Sequence, residues 1–222
     1  MNIFKSMAGA SLLATLFCGV ANADDSEWGV GLKAGTLGLG VEARWSGLPY
    51  MDLRLGGNAY SYDDSGRQAN VLYDSELKLE TYYLTANFHF PLSPFRITAG
   101  AFSNGNQVNM VSAEPGDFNI GGDFYTADEV GTLTGTTSFG STSPYLGLGF
   151  DFEILGKAGL NFDLGVLWQG EPEVTLIADG LLAEVGDVAF LQSLETERLA
   201  LEDDMSDFKA FPVVSLSFVY NF

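Results

Sequence analysis

Eight charged side chains carry most of the chemistry this sequence offers: Lys33, Glu42, Arg44, Asp52, Arg54, Arg96, Asp151 and Asp163. Each lies in a run where apolar and polar residues alternate, and each falls on the polar phase of its run. Arg44, Arg54 and Arg96 can pair with Glu42, Asp52, Asp151 and Asp163 across neighbouring strands, because ions left unpaired in a sheltered interior are costly. The inventory for covalent chemistry is thin. His89 is the single histidine and the one candidate general base, and no nucleophile and orienting group join it. The single cysteine, Cys18, excludes a disulfide framework and a thiolate zinc site. Gly29-Val30-Gly31 and Gly147-Leu148-Gly149 lack the spacing of a nucleotide fingerprint. The acidic runs lack calcium-loop spacing. The expectation is therefore no catalytic residue, no metal, no cofactor and no enzyme, with His89 a packed or interfacial lumen residue.

Strands must position the eight charges. Strict alternation is the mark of a strand with two unlike faces. At the C-terminus Val214, Leu216, Phe218, Tyr220 and Phe222 alternate with Val213, Ser215, Ser217, Val219 and Asn221. Leu160, Phe162, Leu164, Val166 and Trp168 alternate with Asn161, Asp163, Gly165, Leu167 and Gln169. Tyr82, Leu84, Ala86 and Phe88 alternate with Tyr83, Thr85, Asn87 and His89. Eight strands follow from such runs, at 28–35, 37–46, 50–62, 75–90, 94–111, 131–153, 159–177 and 207–222. The connections at 46–49, 91–94 and 154–158 are short. Those at 63–74, 112–130 and 178–206 are long. Short turns at one end and long loops at the other, with an even strand count, is the outer-membrane barrel pattern.

Composition agrees. There are 29 acidic against 10 basic residues, a formal charge of −19, so no basic patch exists and nucleic acid is excluded as a partner. The chain is 46% apolar and 13% aromatic, which argues against disorder. Residues 1–23 read as a cleaved signal peptide: Lys5, an apolar run from Met7 to Val20, and Ala21-Asn22-Ala23 as the cleavage site. Residues 24–222 then form one barrel domain in the outer membrane, with 178–206 as a long acidic extracellular loop.

Two barrels share this alternation. A soluble lipocalin-type barrel turns its apolar face inward, and a membrane barrel turns it to lipid. Pattern alone does not separate them. Trp45, Tyr50, Phe88, Phe90, Phe95, Phe150, Phe152, Phe162, Tyr220 and Phe222 all flank the short-turn end, as an interfacial girdle does. The girdle and the turn-length asymmetry favour lipid outside. The fold class is then all-β: an eight-stranded antiparallel transmembrane barrel with short periplasmic turns and longer acidic extracellular loops. Its lumen is either a plug of salt bridges or a polar thread for a small solute. The small lumen of eight strands favours the plug, while Gly40, Gly56, Gly100, Gly147, Gly149 and Gly165 on the inner face leave space. Residues near 187–204 place Leu191, Leu194, Leu201 and Met205 on a helical face, expected to lie over the barrel mouth. The acidic loops would concentrate cations there.

Gly35-Thr36-Leu37-Gly38-Leu39-Gly40, Leu48-Pro49-Tyr50 to Asn58, Pro144-Tyr145-Leu146-Gly147-Leu148-Gly149-Phe150 and Gly170-Glu171-Pro172-Glu173-Val174 together resemble the CarO-type outer-membrane proteins. The resemblance covers most of the chain after residue 23. OmpW-like barrels are similar in strand layout only. The resemblance implies an eight-stranded barrel and passive uptake of small solutes, with basic amino acids such as ornithine as the solute class. No solute-binding residue carries over from it. The expected partners are outer-membrane lipids and lipopolysaccharide, the barrel assembly machinery through the last strand ending in Phe222, and small cationic solutes.

Overall fold

The computed structural model describes residues 27–68, 71–112, 116–154 and 157–222. The expected signal peptide, residues 1–23, lies outside them, as do residues 155–156 of the third short turn. In chain order the strands are β1 (Trp28–Gly35), β2 (Gly38–Leu48), β3 (Met51–Gln68), β4 (Val71–His89), β5 (Phe95–Asn104), β6 (Gln107–Ser112), β7 (Phe118–Ile120), β8 (Asp123–Tyr125), β9 (Leu133–Ser138), β10 (Thr142–Glu153), β11 (Ala158–Trp168), β12 (Glu173–Ala178) and β13 (Ala210–Asn221). The helices are α1 (Ala127–Val130), α2 (Leu181–Glu184) and α3 (Val188–Asp204).

Eight of the strands close a barrel in the order β1-β2-β3-β4-β5-β10-β11-β13, every neighbour antiparallel. The seam joins the first strand to the last, from Gly29 opposite Asn221 to Gly35 opposite Ser215. Closure removes sheet edges, which is what lets a β structure cross lipid. The period of two then sorts the faces. Leu32, Leu39, Leu55, Leu84, Leu146, Leu164 and Leu216 point out, with Leu39 69% exposed. Arg54, Arg96, Asn87 and Asp52 point in and are buried. The greasy belt is therefore outside, as in a transmembrane barrel, and the soluble alternative is inverted. At the short-turn end Phe88, Phe90, Phe95 and Phe150 form a chain of ring contacts, with centroids 5.3–5.5 Å apart. Gly38 makes the first hairpin possible: its φ is +97°, and a Cβ there would lie 2.5 Å from the Ala59 carbonyl oxygen.

Three long strands read from the alternation are each broken. Residues 94–111 divide into β5 and β6, 131–153 into β9 and β10, and 159–177 into β11 and β12. The breaks fall together, where the chain leaves the barrel: Asn104 N–H donates to Ser141 O, Gly105 N–H to Glu80 O, and Gly140 N–H to Gln169 O. Gly170, with φ +79°, precedes Pro172 at the third. Beyond the breaks β3 and β4 rise as a ribbon and continue into a second sheet, β3-β4-β6-β9-β12. Alternation persists on both sides because each half is two-faced, so period alone cannot mark the bend. The expected loop 63–74 is mostly this ribbon, with Asp63 opposite Glu76 and Ser65 opposite Asp74. Pairing of β4 with β6 on its other edge outweighs the turn-like Asp-Asp-Ser-Gly composition.

The helix near 187–204 forms as α3. Asp187 caps it by accepting the Phe190 N–H at 2.9 Å, and Arg198 bridges Glu195 and Glu202 on adjacent turns. Of its expected apolar face, Leu194, Leu201 and Met205 turn toward the neighbouring elements and Leu191 does not. The helix packs on β12 of the outer sheet and on β7 of the separate β7–β8 hairpin. Phe190, fully buried with Phe118, Ile120 and Val130, anchors it, while Leu191 is exposed. That small core is one the alternation gave no hint of, because it joins short segments far apart in sequence.

Candidate functional site: the barrel lumen

All eight charged residues singled out from the sequence come from barrel strands and point into the lumen. Lys33 lies on β1, Glu42 and Arg44 on β2, Asp52 and Arg54 on β3, Arg96 on β5, Asp151 on β10 and Asp163 on β11. Spacings of two within a strand stack them in layers along the barrel axis.

The layer nearest the short turns holds Asp52, Asp151, Arg44 and His89. Arg44 Nη2 reaches Asp52 at 3.1 Å, and His89 Nε2 bonds the same carboxylate. His89 Nδ1 lies 3.6 Å from Asp151. The next layer is built on two buried guanidinium groups. Arg96 Nε donates to Asp151 at 2.9 Å, and its two terminal nitrogens donate to Asp163 at 2.5 Å and to Asn87 at 2.9 Å. Arg54 Nε donates to Asp52 and its Nη2 to Asp151, each at 3.2 Å. Asn161, its amide oriented to satisfy its neighbours, donates to Asp151 and accepts from Arg54. Above this, Lys33 lies 3.5 Å from Asp163 and 3.8 Å from Glu42. Tyr83 and Ser217 hydroxyls donate to Glu42 at 2.8 and 3.3 Å. Four cations thus face four carboxylates, and the column is balanced without counting His89.

Toward the long-loop end an apolar cap closes the lumen: Leu37, Tyr83, Phe102, Tyr145, Leu167 and Val213. Tyr83 stacks on Phe102 at 4.9 Å. Leu167 and Val213 sit on the polar phase of their strands, and that misplacement is the signal by which sequence reading could have found the cap.

The inner-face glycines do not leave the lumen open. Large side chains lie across four of them, Gly56, Gly147, Gly149 and Gly165. A Cβ at Gly56 would meet the Tyr83 ring at 2.5 Å, one at Gly165 the Tyr145 hydroxyl at 2.5 Å, and one at Gly149 the Arg96 guanidinium. Gly56, Gly149 and Gly165 are the hollows into which long side chains of the adjacent strands fit, Tyr83 and Arg96 from the directly paired positions. Between ion layer and cap the remaining space is about 20 Å³, room for about one water. On the short-turn side a vestibule of about 320 Å³, lined by Arg44, His89, Asp151 and Asn161, opens to solvent.

Asp52, His89 and Asp151 bring ligand-type atoms within 4.8 Å of one another. The positions a cation would take are held by Arg44, Arg54 and Arg96, which already contact those two carboxylates. His89 thus joins the ion layer as a lumen residue, on the polar phase of β4 and opposite Arg96.

Searches against known proteins bear on this arrangement. Among solved structures, the crystal structure of CarO2 from Acinetobacter baumannii superposes with a TM-score of 0.57 at 21% identity, covering 88% of this chain and 98% of that one. CarO from the same organism gives a TM-score of 0.56 at 22% identity, covering 87% and 97%. The chain has the CarO fold. No protein-family model and no curated protein matches the sequence. The CarO likeness spans nearly the whole of those chains, so it includes the outer sheet as well as the barrel. The resemblance read from the glycine- and proline-bearing segments therefore holds at the level of the complete fold.

Proposed function

We propose that the protein resides in the bacterial outer membrane, after export through the periplasm, and forms a narrow path for passive uptake of small solutes, with the ion layer as its gate. The observation that carries this reading is the polar column, which runs from the vestibule at Arg44 and His89 to Lys33 and Glu42 beneath the apolar cap. A barrel that needs only to be sealed is filled at least as stably by apolar side chains, since buried ions lose several kcal/mol each to desolvation before pairing recovers it. Exchangeable ion pairs along the axis give a charged solute successive partners. A preference for cations is supported by the outer module, where Asp187, Glu195, Glu197, Glu202, Asp203 and Asp204 face Arg198 alone among residues 179–207 of basic type. Basic amino acids are the solute class the CarO resemblance implies. Outer-membrane lipid and lipopolysaccharide are the partners of the exposed leucine and aromatic belt.

A second reading, a non-conducting structural barrel, is favoured by one observation: the space of only about 20 Å³ above the ion layer. Planar-bilayer conductance separates the two. The channel reading expects a small conductance from the refolded wild type and a larger one from the Arg96→Ala/Asp163→Ala pair, which empties the layer without leaving a lone charge. No current above leak from either protein assigns the structural barrel. In a conducting protein, Asp151→Lys shifts the reversal potential away from cation preference, and an unchanged potential removes the lumen from selectivity.

A further inference from the structure

The outer module contains a cavity that the lumen does not explain. It measures about 330 Å³ and lies between the face of the second sheet and the α3 layer. Met110, Leu133 and Leu176 form its floor, and Leu201 and Met205 its roof. Gaps in a close-packed interior are smaller than a water molecule, whereas this volume falls in the range of small-molecule sites, roughly 300–1,000 Å³. The two methionines give it adaptable walls.

Its charged lining is one-signed. Asp117 and Glu197 are the ionisable acids on the wall, and among the described residues no lysine or arginine lines it. Arg198, the basic residue nearest in sequence, is committed to Glu195 at 2.7 Å and Glu202 at 2.5 Å. Glu197 is held in place by the Gly121 N–H, which donates to its Oε2 at 3.0 Å. Two aromatic rings, Tyr73 and Phe118, complete the wall, and aromatic faces attract cations as carboxylates do. Burial, and then the Glu197 charge, push the Tyr73 phenol up, as expected where the local potential is negative.

We propose that this cavity binds a small organic cation with an apolar body, of the alkyl- or arylammonium class: hydrocarbon between Met110 and Met205, ammonium toward Asp117 and Glu197. The site stands apart from the barrel, and its occupancy does not depend on whether the lumen conducts.

The test uses the barrel in zwitterionic lipid nanodiscs, labelled with ¹³C-methyl methionine. Met51 lies on the lipid-facing barrel wall and serves as internal control. Benzyltrimethylammonium is expected to shift Met110 and Met205 saturably with one shared constant while Met51 stays still. Phenylacetate and benzyl alcohol are expected not to saturate over the same range. Asp117→Asn/Glu197→Gln, in which the glutamine keeps an acceptor for Gly121, should weaken binding about tenfold, the sum of two partly exposed ion pairs. Gly135→Leu should abolish it by filling the floor, since a Cβ there approaches only the tip of Leu176, at 3.2 Å. If that variant does not fold, the carboxylate variant decides. The proposal is overturned if neither methyl saturates, if all three move together as membrane partitioning would cause, or if the neutral alcohol binds as tightly as the cation.

Discussion

Arg96 and Asp163 meet at 2.5 Å across the lumen from strands that are not neighbours, β5 and β11, with β10 between them. The contact bridges over β10 to tie two next-but-one strands of the barrel wall, and both side chains are buried. Removing the guanidinium alone leaves Asp163 to Lys33 and Asp151 to Arg54, with one more carboxylate than cation in the buried column. Arg96→Ala is therefore expected to destabilise the barrel by about 3–5 kcal/mol. The double variant Arg96→Ala/Asp163→Ala should lose less than the sum of the single variants, because no surplus carboxylate remains in the column. Urea unfolding in lipid, followed by tryptophan fluorescence, measures both. Additive losses would show that the contact carries no coupling.

Gly149 lies beneath that same guanidinium. Arg96 is pinned by Asp151, Asp163 and Asn87 and has little room to give way. Gly149→Ala should cost about 1–3 kcal/mol by overpacking. An alanine without effect in the same unfolding assay would mean that the guanidinium moves freely, and the lumen would then be softer than its hydrogen bonds imply.

The outward belt sets a contrast. Leu148 lies mid-strand on β10, facing out. Leu148→Arg should destabilise by about 2–4 kcal/mol, the cost of a cation near the bilayer midplane. Val185→Arg, at an exposed site following α2 in the outer module, should stay within about 0.5 kcal/mol. Equal effects would contradict lipid contact along β10.

Acid should loosen the outer module. The Thr126 N–H and hydroxyl hold the Glu129 carboxylate below its ordinary value near 4.5, Arg198 does the same for Glu195, and Lys209 for Glu171. Depressed carboxylates stabilise the folded form above their unfolded value, and that contribution fades as pH falls through the folded one. Hydrogen exchange corrected for intrinsic rates should show α1 and α3 amides losing protection below about pH 4.5. Rising protection on acidification would reverse the sign and refute the role of these carboxylates.

Much of the barrel was legible in the residues. A period of two is a local property, so the eight barrel strands and their two unlike faces follow from alternation; which face meets lipid followed from the aromatic girdle and the unequal turn lengths, because alternation fits an inward apolar face equally well. Tertiary structure alone decided three things. It decided where each long strand bends out at Gly105, Gly140 and Gly170, because alternation continues through a bend. It decided that Tyr83, Tyr145 and Arg96 fill the hollows over Gly56, Gly165 and Gly149 of adjacent strands, because which residues lie side by side depends on the register of each strand pair. It also created the outer cavity, whose walls come from β4, β6, β7, β9, β12 and α3. No local pattern records a volume assembled from six segments; only their packing does.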